Sequence, residues 1–209
     1  MAGVCRAAFN TGAFVIDSGL GTNIEKFCQR KGVILIGVCP EAEVEYPRLN
    51  QANRTPIELT NGHTHFFCVG AAKGKQGEMK WGSESSLKFE LAKRITVGRK
   101  VGYGVSQAPP CKMVTVIVGD NEVQALADME ASLNNKNPIV ILSGSPLCNS
   151  INAQLSKRKE NPKANDTFKI GDTKDKLIER LLKYSRVVMS SDNSEDIASV
   201  VHFLLTISI

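Results

Sequence analysis

Three stretches of this sequence bring glycine and small polar residues together in a pattern that suits an oxyanion. Asp17-Ser18-Gly19-Leu20-Gly21-Thr22-Asn23, Gly119-Asp120-Asn121 and Ser143-Gly144-Ser145-Pro146 each follow an apolar run and each open onto a segment with helical spacing. Glycine at a strand end lets the backbone approach a ligand closely, and the first-turn N–H groups of the helix that follows point at an anion. The candidate contacts are Ser18, Gly19, Gly21, Thr22, Asn23, Gly119, Gly144 and Ser145. Their glycines give close approach, and Thr22, Asn23 and Ser145 give hydrogen bonds.

Two further stretches supply charge or imidazole. Asn61-Gly62-His63-Thr64-His65 carries two histidines two residues apart, a spacing that on a strand puts both rings on one face. No third ligand of clear spacing stands nearby, so contact with a phosphate, or with turn carbonyls, is favoured over a metal. The loop from Gly70 to Glu78 sets Lys73 and Lys75 among glycines, and Lys75 there can neutralise a phosphate as a point charge. That loop lacks the G-K-[ST] ending of a P-loop. The carboxylates near these turns are Asp17, Glu25, Glu78, Asp120 and Glu122, of which Glu25 completes a G-T-x-x-E string. Nucleophilic catalysis finds no G-x-S-x-G, and Cys39, Cys68 and Cys148 have no adjacent base.

Apolar runs rich in β-branched residues recur at 13–16, 33–38, 65–69, 113–118, 138–142 and 186–189, and predict strands. Segments 22–31, 84–97, 121–134, 147–157, 173–184 and 194–206 read as helices, the last with Ser194 as its N-cap. Continuous apolar strands alternating with helices predict an α/β fold, a mostly parallel, doubly wound sheet that binds ligands at the carboxyl ends of its strands. The proline-containing stretch 39–61 reads as an irregular insertion or lid, and the lysine-rich stretch 158–172 as a mobile surface connection.

With 209 residues, 42% of them hydrophobic and 22% charged, the chain predicts one domain spanning 1–209 with one sizeable core. The net charge of +5 gathers at 157–163 and 94–100 rather than along a periodic face, which argues against nucleic acid as a partner. The six cysteines, Cys5, Cys28, Cys39, Cys68, Cys111 and Cys148, form no C-x-x-C pair and read as reduced core residues of a cytoplasmic protein. The most apolar stretch, 200–209, falls far short of the roughly 20 residues of a membrane-spanning helix.

Taken in order, these motifs resemble the SLOG superfamily of Rossmann-like domains, and within it the N-terminal cytosolic (LSDAT-type) domain of melastatin-type TRPM cation channels. The resemblance rests on CRAAFNTGAFVIDSGLGTNI at 5–24, NGHTHFFCVG at 61–70, GKQGEMK at 74–80, VTVIVGDNEVQAL at 114–126, IVILSGSPLCNSI at 139–151 and RVVMSSDNSEDIASVVHFLL at 186–205. It implies a module that binds a nucleotide-derived ligand such as ADP-ribose and takes part in channel and calcium signalling. On that reading the site is Ser18, Gly19, Gly21, Thr22, Asn23, His63, His65, Lys75, Gly119, Gly144 and Ser145, with no metal and no cofactor beyond the nucleotide.

The wider superfamily includes LOG-like phosphoribohydrolases marked by P-G-G-x-G-T-x-x-E. By chain order that motif falls at 119–126, where GDNEVQAL lacks both the glycine pair and the glutamate in register, which speaks against catalysis. The alternatives are such a hydrolase, with Glu25 or Glu122 as the acid, and a ligand-free assembly module. Family members also begin with a strand ahead of the helix that opens near Ala2. Its counterpart is missing from this sequence, which predicts a sheet completed by further polypeptide, by another copy or by a partner chain.

Overall fold

The computed structural model describes residues 1–20, 23–45, 57–71, 80–97, 110–119, 121–160 and 173–207. The chain alternates helix and strand: α1 (Ala2–Thr11), β1 (Val15–Asp17), α2 (Ile24–Lys31), β2 (Leu35–Pro40), a short 3-10 turn (Glu41–Glu43), β3 (Val44–Glu45), β4 (Ile57–Glu58), β5 (His65–Val69) and α3 (Ser85–Val97). It continues through β6 (Thr115–Ile117), α4 (Glu122–Asn134), β7 (Ile139–Leu142), α5 (Pro146–Glu160), α6 (Thr173–Lys183), β8 (Val187–Ser190) and α7 (Ser194–Thr206). Among the described residues all strand pairs are parallel, as the alternation of apolar runs and helices predicts.

Where one continuous sheet was expected, the described residues form two three-stranded half-sheets, ordered β1-β2-β5 and β6-β7-β8, that do not pair with each other. In each half the middle strand is buried throughout, β2 from Leu35 to Pro40 and β7 from Ile139 to Leu142, which accounts for their unbroken apolar sequences. The amino ends of α1 and α7 meet. Gly3 lies so close to Ser194 O and Ala198 that a β-carbon there would collide, and Arg6 pairs with Glu195. Because α1 turns back into β1 and α7 leaves β8, this contact puts the carboxyl ends of both half-sheets on one edge.

A cluster formed by Val4, Cys5, Ala8, Ile24, Leu35, Val140 and Val201 lies under α1, α2 and α7 and joins the two halves. A second cluster, with Met129, Ile139, Ile141, Ile151 and Leu181, lies under α4, α5 and α6. Helices thus cover both faces, the doubly wound arrangement.

Local signals set the boundaries. Gly12 and Gly32 end α1 and α2 in the left-handed conformation, their N–H groups returning to the last-turn carbonyls. Helix α7 is capped one residue earlier than expected: Asn193 Oδ1 accepts from Glu195 N at 2.8 Å, and Ser194 is already helical. Residues 158–160, expected in a mobile connection, extend α5, and the rest of that stretch lies outside the described residues. The expected irregular insertion contains the 3-10 turn and the β3–β4 pair, in which Val44 is buried; residues 46–56 lie outside the description. Cys111, expected in the core, is exposed.

Candidate functional site

The turn after β1 is held by side chains from a segment more than forty residues away. Asp17 Oδ1 accepts from Gly19 N at 2.8 Å, and Gly19 O accepts from both the backbone N–H and the hydroxyl of Thr60. His63 Nε2 lies 2.8 Å from the same Asp17 oxygen, and its Nδ1 lies 3.1 Å from Thr60 O. Both ring nitrogens therefore face oxygen acceptors, an arrangement that only the doubly protonated ring satisfies in full. Burial opposes that charge, since the His63 side chain is 0% exposed, yet the hydrogen bond and charge of Asp17 outweigh it and raise the pKa above the ordinary histidine value.

Two carboxylate oxygens in this region, Asp17 Oδ2 and Glu25 Oε2, are buried without a hydrogen-bond partner. Glu25 sits in the first turn of α2 and packs under Gly62. Its negative charge suits the positive end of that helix. Asn23, which precedes α2 with φ +62°, gives the helix no side-chain cap; its Oδ1 accepts from Lys26 Nζ instead.

The turns after β6 and β7 meet each other. Gly119, at φ +83°, lies against the start of α5, where a β-carbon would strike Ser145 Oγ and come within 2.7 Å of Cys148 Sγ. Ser145 Oγ accepts from Cys148 N at 3.1 Å, and Asn121 Oδ1 accepts from Gln124 N at 3.2 Å, so α4 and α5 both begin with capped N–H groups. Gly144 N donates to Asn149 Oδ1.

Between β1 and β6 runs a cavity of about 720 Å³. Ser18, Gly119 and Asn121 lie at its polar end; Ile16, Val116, Val4, Phe89 and Val201 are among its apolar walls. Lys88 also reaches it, held by Asp128 at 2.7 and 2.9 Å, with Ser85 Oγ donating to the same carboxylate. Beside them the fully buried Glu84 accepts from Gln124 Nε2 and Gly82 N, and burial pushes its carboxyl pKa up.

Of the expected site residues, the structure brings Ser18 and Gly119 to one cavity and Gly119 to Ser145. It sets Gly19 beside the Thr60–His63 segment and Asn23 at the start of α2. The two histidines do not share a face: His63 points inward to Asp17, whereas His65 is exposed and paired with Thr64 Oγ1, because His63 precedes β5 and is free of its alternation. Gly21, Thr22 and Lys75 lie outside the described residues, as do Lys73, Glu78 and Asp120. Glu122 is exposed in the first turn of α4. Among the described residues no three or more His, Cys, Asp or Glu side chains could hold a metal ion, and no helix is long and apolar enough to cross a membrane.

Sequence reasoning missed the Asp17–His63 pair and the Glu84, Lys88, Asp128 and Gln124 network. The network carried no signal, since charged residues on a helix ordinarily face solvent. The family model described as "SLOG in TRPM, prokaryote" matches residues 1–197. Comparison with curated protein sequences returns no match.

Proposed function

Because this chain belongs to the SLOG family described in prokaryotes as "SLOG in TRPM", we propose that it is a regulatory module that binds a nucleotide-derived, ADP-ribose-like ligand at the carboxyl ends of β1, β6 and β7. The observation that carries the reading is the start of α2. Among the turns around the crevice, those opening α4 and α5 have their N–H groups capped by Asn121 and Ser145, whereas α2 follows the Gly19 turn without a side-chain cap. A phosphate there meets uncapped donors and the positive helix end. In this reading Ser18, Gly19, Gly21, Thr22 and Asn23 hold the phosphate, and Lys75 neutralises it. Gly119, Gly144 and Ser145 shape the far side, His65 stands at the rim, and His63 acts through Asp17. The free cysteines suit a reducing, cytoplasmic setting, where such a module would serve a channel or another effector.

Calorimetric titration with ADP-ribose, AMP and ribose 5-phosphate tests this. Binding weakened about tenfold by Lys75→Ala, as loss of one charge-assisted contact implies, is expected; absence of heat with all three ligands overturns it.

A second reading has one observation in its favour. Glu25, 6% exposed with Oε2 unpartnered, is placed as a general acid would be, and supports phosphoribohydrolase activity on a nucleoside monophosphate. Release of free base from AMP that is lost in Glu25→Gln would establish it; a flat assay would remove it.

A further inference from the structure

Two amide side chains at the start of α4 line the cavity with their hydrogen bonds half used. Asn121 Oδ1 accepts from Gln124 N at 3.2 Å, and Gln124 Nε2 donates to Glu84 Oε1 at 2.8 Å. The other end of each amide, Asn121 Nδ2 and Gln124 Oε1, has no hydrogen-bond partner among the described residues and is not sealed from solvent. Three positions apart across one helical turn, the two side chains are neighbours.

The direction of Gln124 is set by what lies behind it. A carboxamide has a donor end and an acceptor end, and turning it over exchanges them. Glu84 is 0% exposed and, as a carboxylate, offers acceptors alone. Gly82 N already donates to its Oε2 at 2.7 Å, which leaves Oε1 for Gln124. The nitrogen end of Gln124 is therefore held against Glu84, and the oxygen end is the one left for the cavity. The turn that delivers Glu84 is specified as well: Gly82, at φ +97°, lies against Val123 and Ala127 of α4, a conformation in which a side chain is strained. Apolar residues in place of this buried polar contact would hold α3 to α4 as well or better. What the carboxylate adds is a fixed direction for one amide.

An open acceptor beside an open donor complements a purine edge that carries an amine next to an unprotonated ring nitrogen, the edge of adenine at N6 and N7. Phe89 and Ala125, from the same two helices, give the cavity an apolar wall that suits the face of a flat ring. Ser18, beside the Gly19 turn, lines the same cavity, so a ligand whose phosphate meets that turn has its base within this space.

We propose that Gln124 and Asn121 read the base of the ligand as an aminopurine. Gln124 Oε1 accepts from the exocyclic amine and Asn121 Nδ2 donates to N7, while Glu84 is the positioning residue that keeps Gln124 turned to do so. The inference rests on the nucleotide reading above and adds to it the residues that select the base.

Purine riboside 5′-monophosphate is AMP without the amine, so calorimetry with the two isolates one hydrogen bond. AMP should bind about tenfold more tightly to the unaltered chain, the scale of a polar group left facing no partner. Glu84→Gln then separates positioning from packing. Gly82 N still takes the oxygen of residue 84, so the new amide nitrogen faces Gln124, turns that carboxamide over and puts a donor where the amine must go. The preference for AMP should vanish in this variant, and ribose 5-phosphate should bind as before. If the variant weakens both nucleotides together and keeps their ratio, Glu84 only holds α3 to α4, and the positioning role is overturned. Equal binding of AMP and purine riboside 5′-monophosphate by the unaltered chain overturns the base readout and leaves the phosphate reading standing. Absence of heat with ribose 5-phosphate and with both nucleotides removes the nucleotide reading and this inference together.

Discussion

His63 Nε2 and Asp17 Oδ1 lie 2.8 Å apart across 46 residues of sequence, and the imidazole is wholly enclosed. The pair ties the segment before β5 to the turn that ends β1. In the unfolded chain His63 titrates near about 6.5, and in the folded chain above that value. The folded state therefore holds the proton more tightly. The stabilisation is complete below about pH 6.5 and is lost as pH rises through the folded value. Urea melts at successive pH values should show the midpoint falling across that window. His63→Gln should flatten the dependence and cost about 3 kcal/mol at pH 6, because it breaks a buried pair. An unchanged slope in the variant would assign the titration to another group.

Gly119→Ala should destabilise the fold by about 3 kcal/mol, combining left-handed strain with a collision in a packed site. Its φ is +83°, and the added methyl would meet Cys148 Sγ and Ser145 Oγ. Chemical denaturation measures the cost. A change below about 0.5 kcal/mol, the scale of an ordinary surface substitution, would show that the Gly119 turn does not press on α5.

Lys88 and Asp128 form a nearly enclosed pair between α3 and α4. Lys88→Ala leaves the Asp128 carboxylate buried without its cation and should cost about 3 kcal/mol. Replacing both partners by apolar residues of similar size, Lys88→Met with Asp128→Leu, should recover most of that loss. Denaturant midpoints of the single and double variants decide it; a double variant no better than the single would mean that the network adds more than the pair.

Thiol labelling should sort the cysteines by enclosure. Burial, aided by Cys68, pushes the Cys39 thiol up to about 12, and burial, aided by Cys5, does the same for Cys28. Cys111 is exposed. At pH 8 a disulfide reagent should modify Cys111 first, with Cys5, Cys28, Cys39 and Cys148 reacting at the rate of unfolding. Peptide mapping by mass spectrometry checks the order, and early modification of Cys39 would contradict the packing of β2 against β5.

Strands β2 and β7 were legible because they are buried on both faces and their sequences are apolar without alternation, whereas β3 and β4 fell in the stretch read as irregular. The helices from α2 onward were legible from periodicity to within a few residues, whereas α1 was expected only through the resemblance. What periodicity cannot carry is the partner. Cys39 against Cys68, His63 against Asp17 and Gly119 against Ser145 join residues 29, 46 and 26 positions apart, and nothing local in either member announces the other. Glu25 read as the carboxylate of a G-T-x-x-E string, and the approach of Gly62 that buries it had no local sign. The turns around the crevice were recognisable from glycine and small polar residues; which of them leave N–H groups uncapped depended on the side-chain geometry of Asn23, Asn121 and Ser145.

The Ser18 turn belongs to one half-sheet and the Gly119 turn to the other. A ligand that touches both bridges the seam, so its affinity contains the free energy of setting the two halves at one separation.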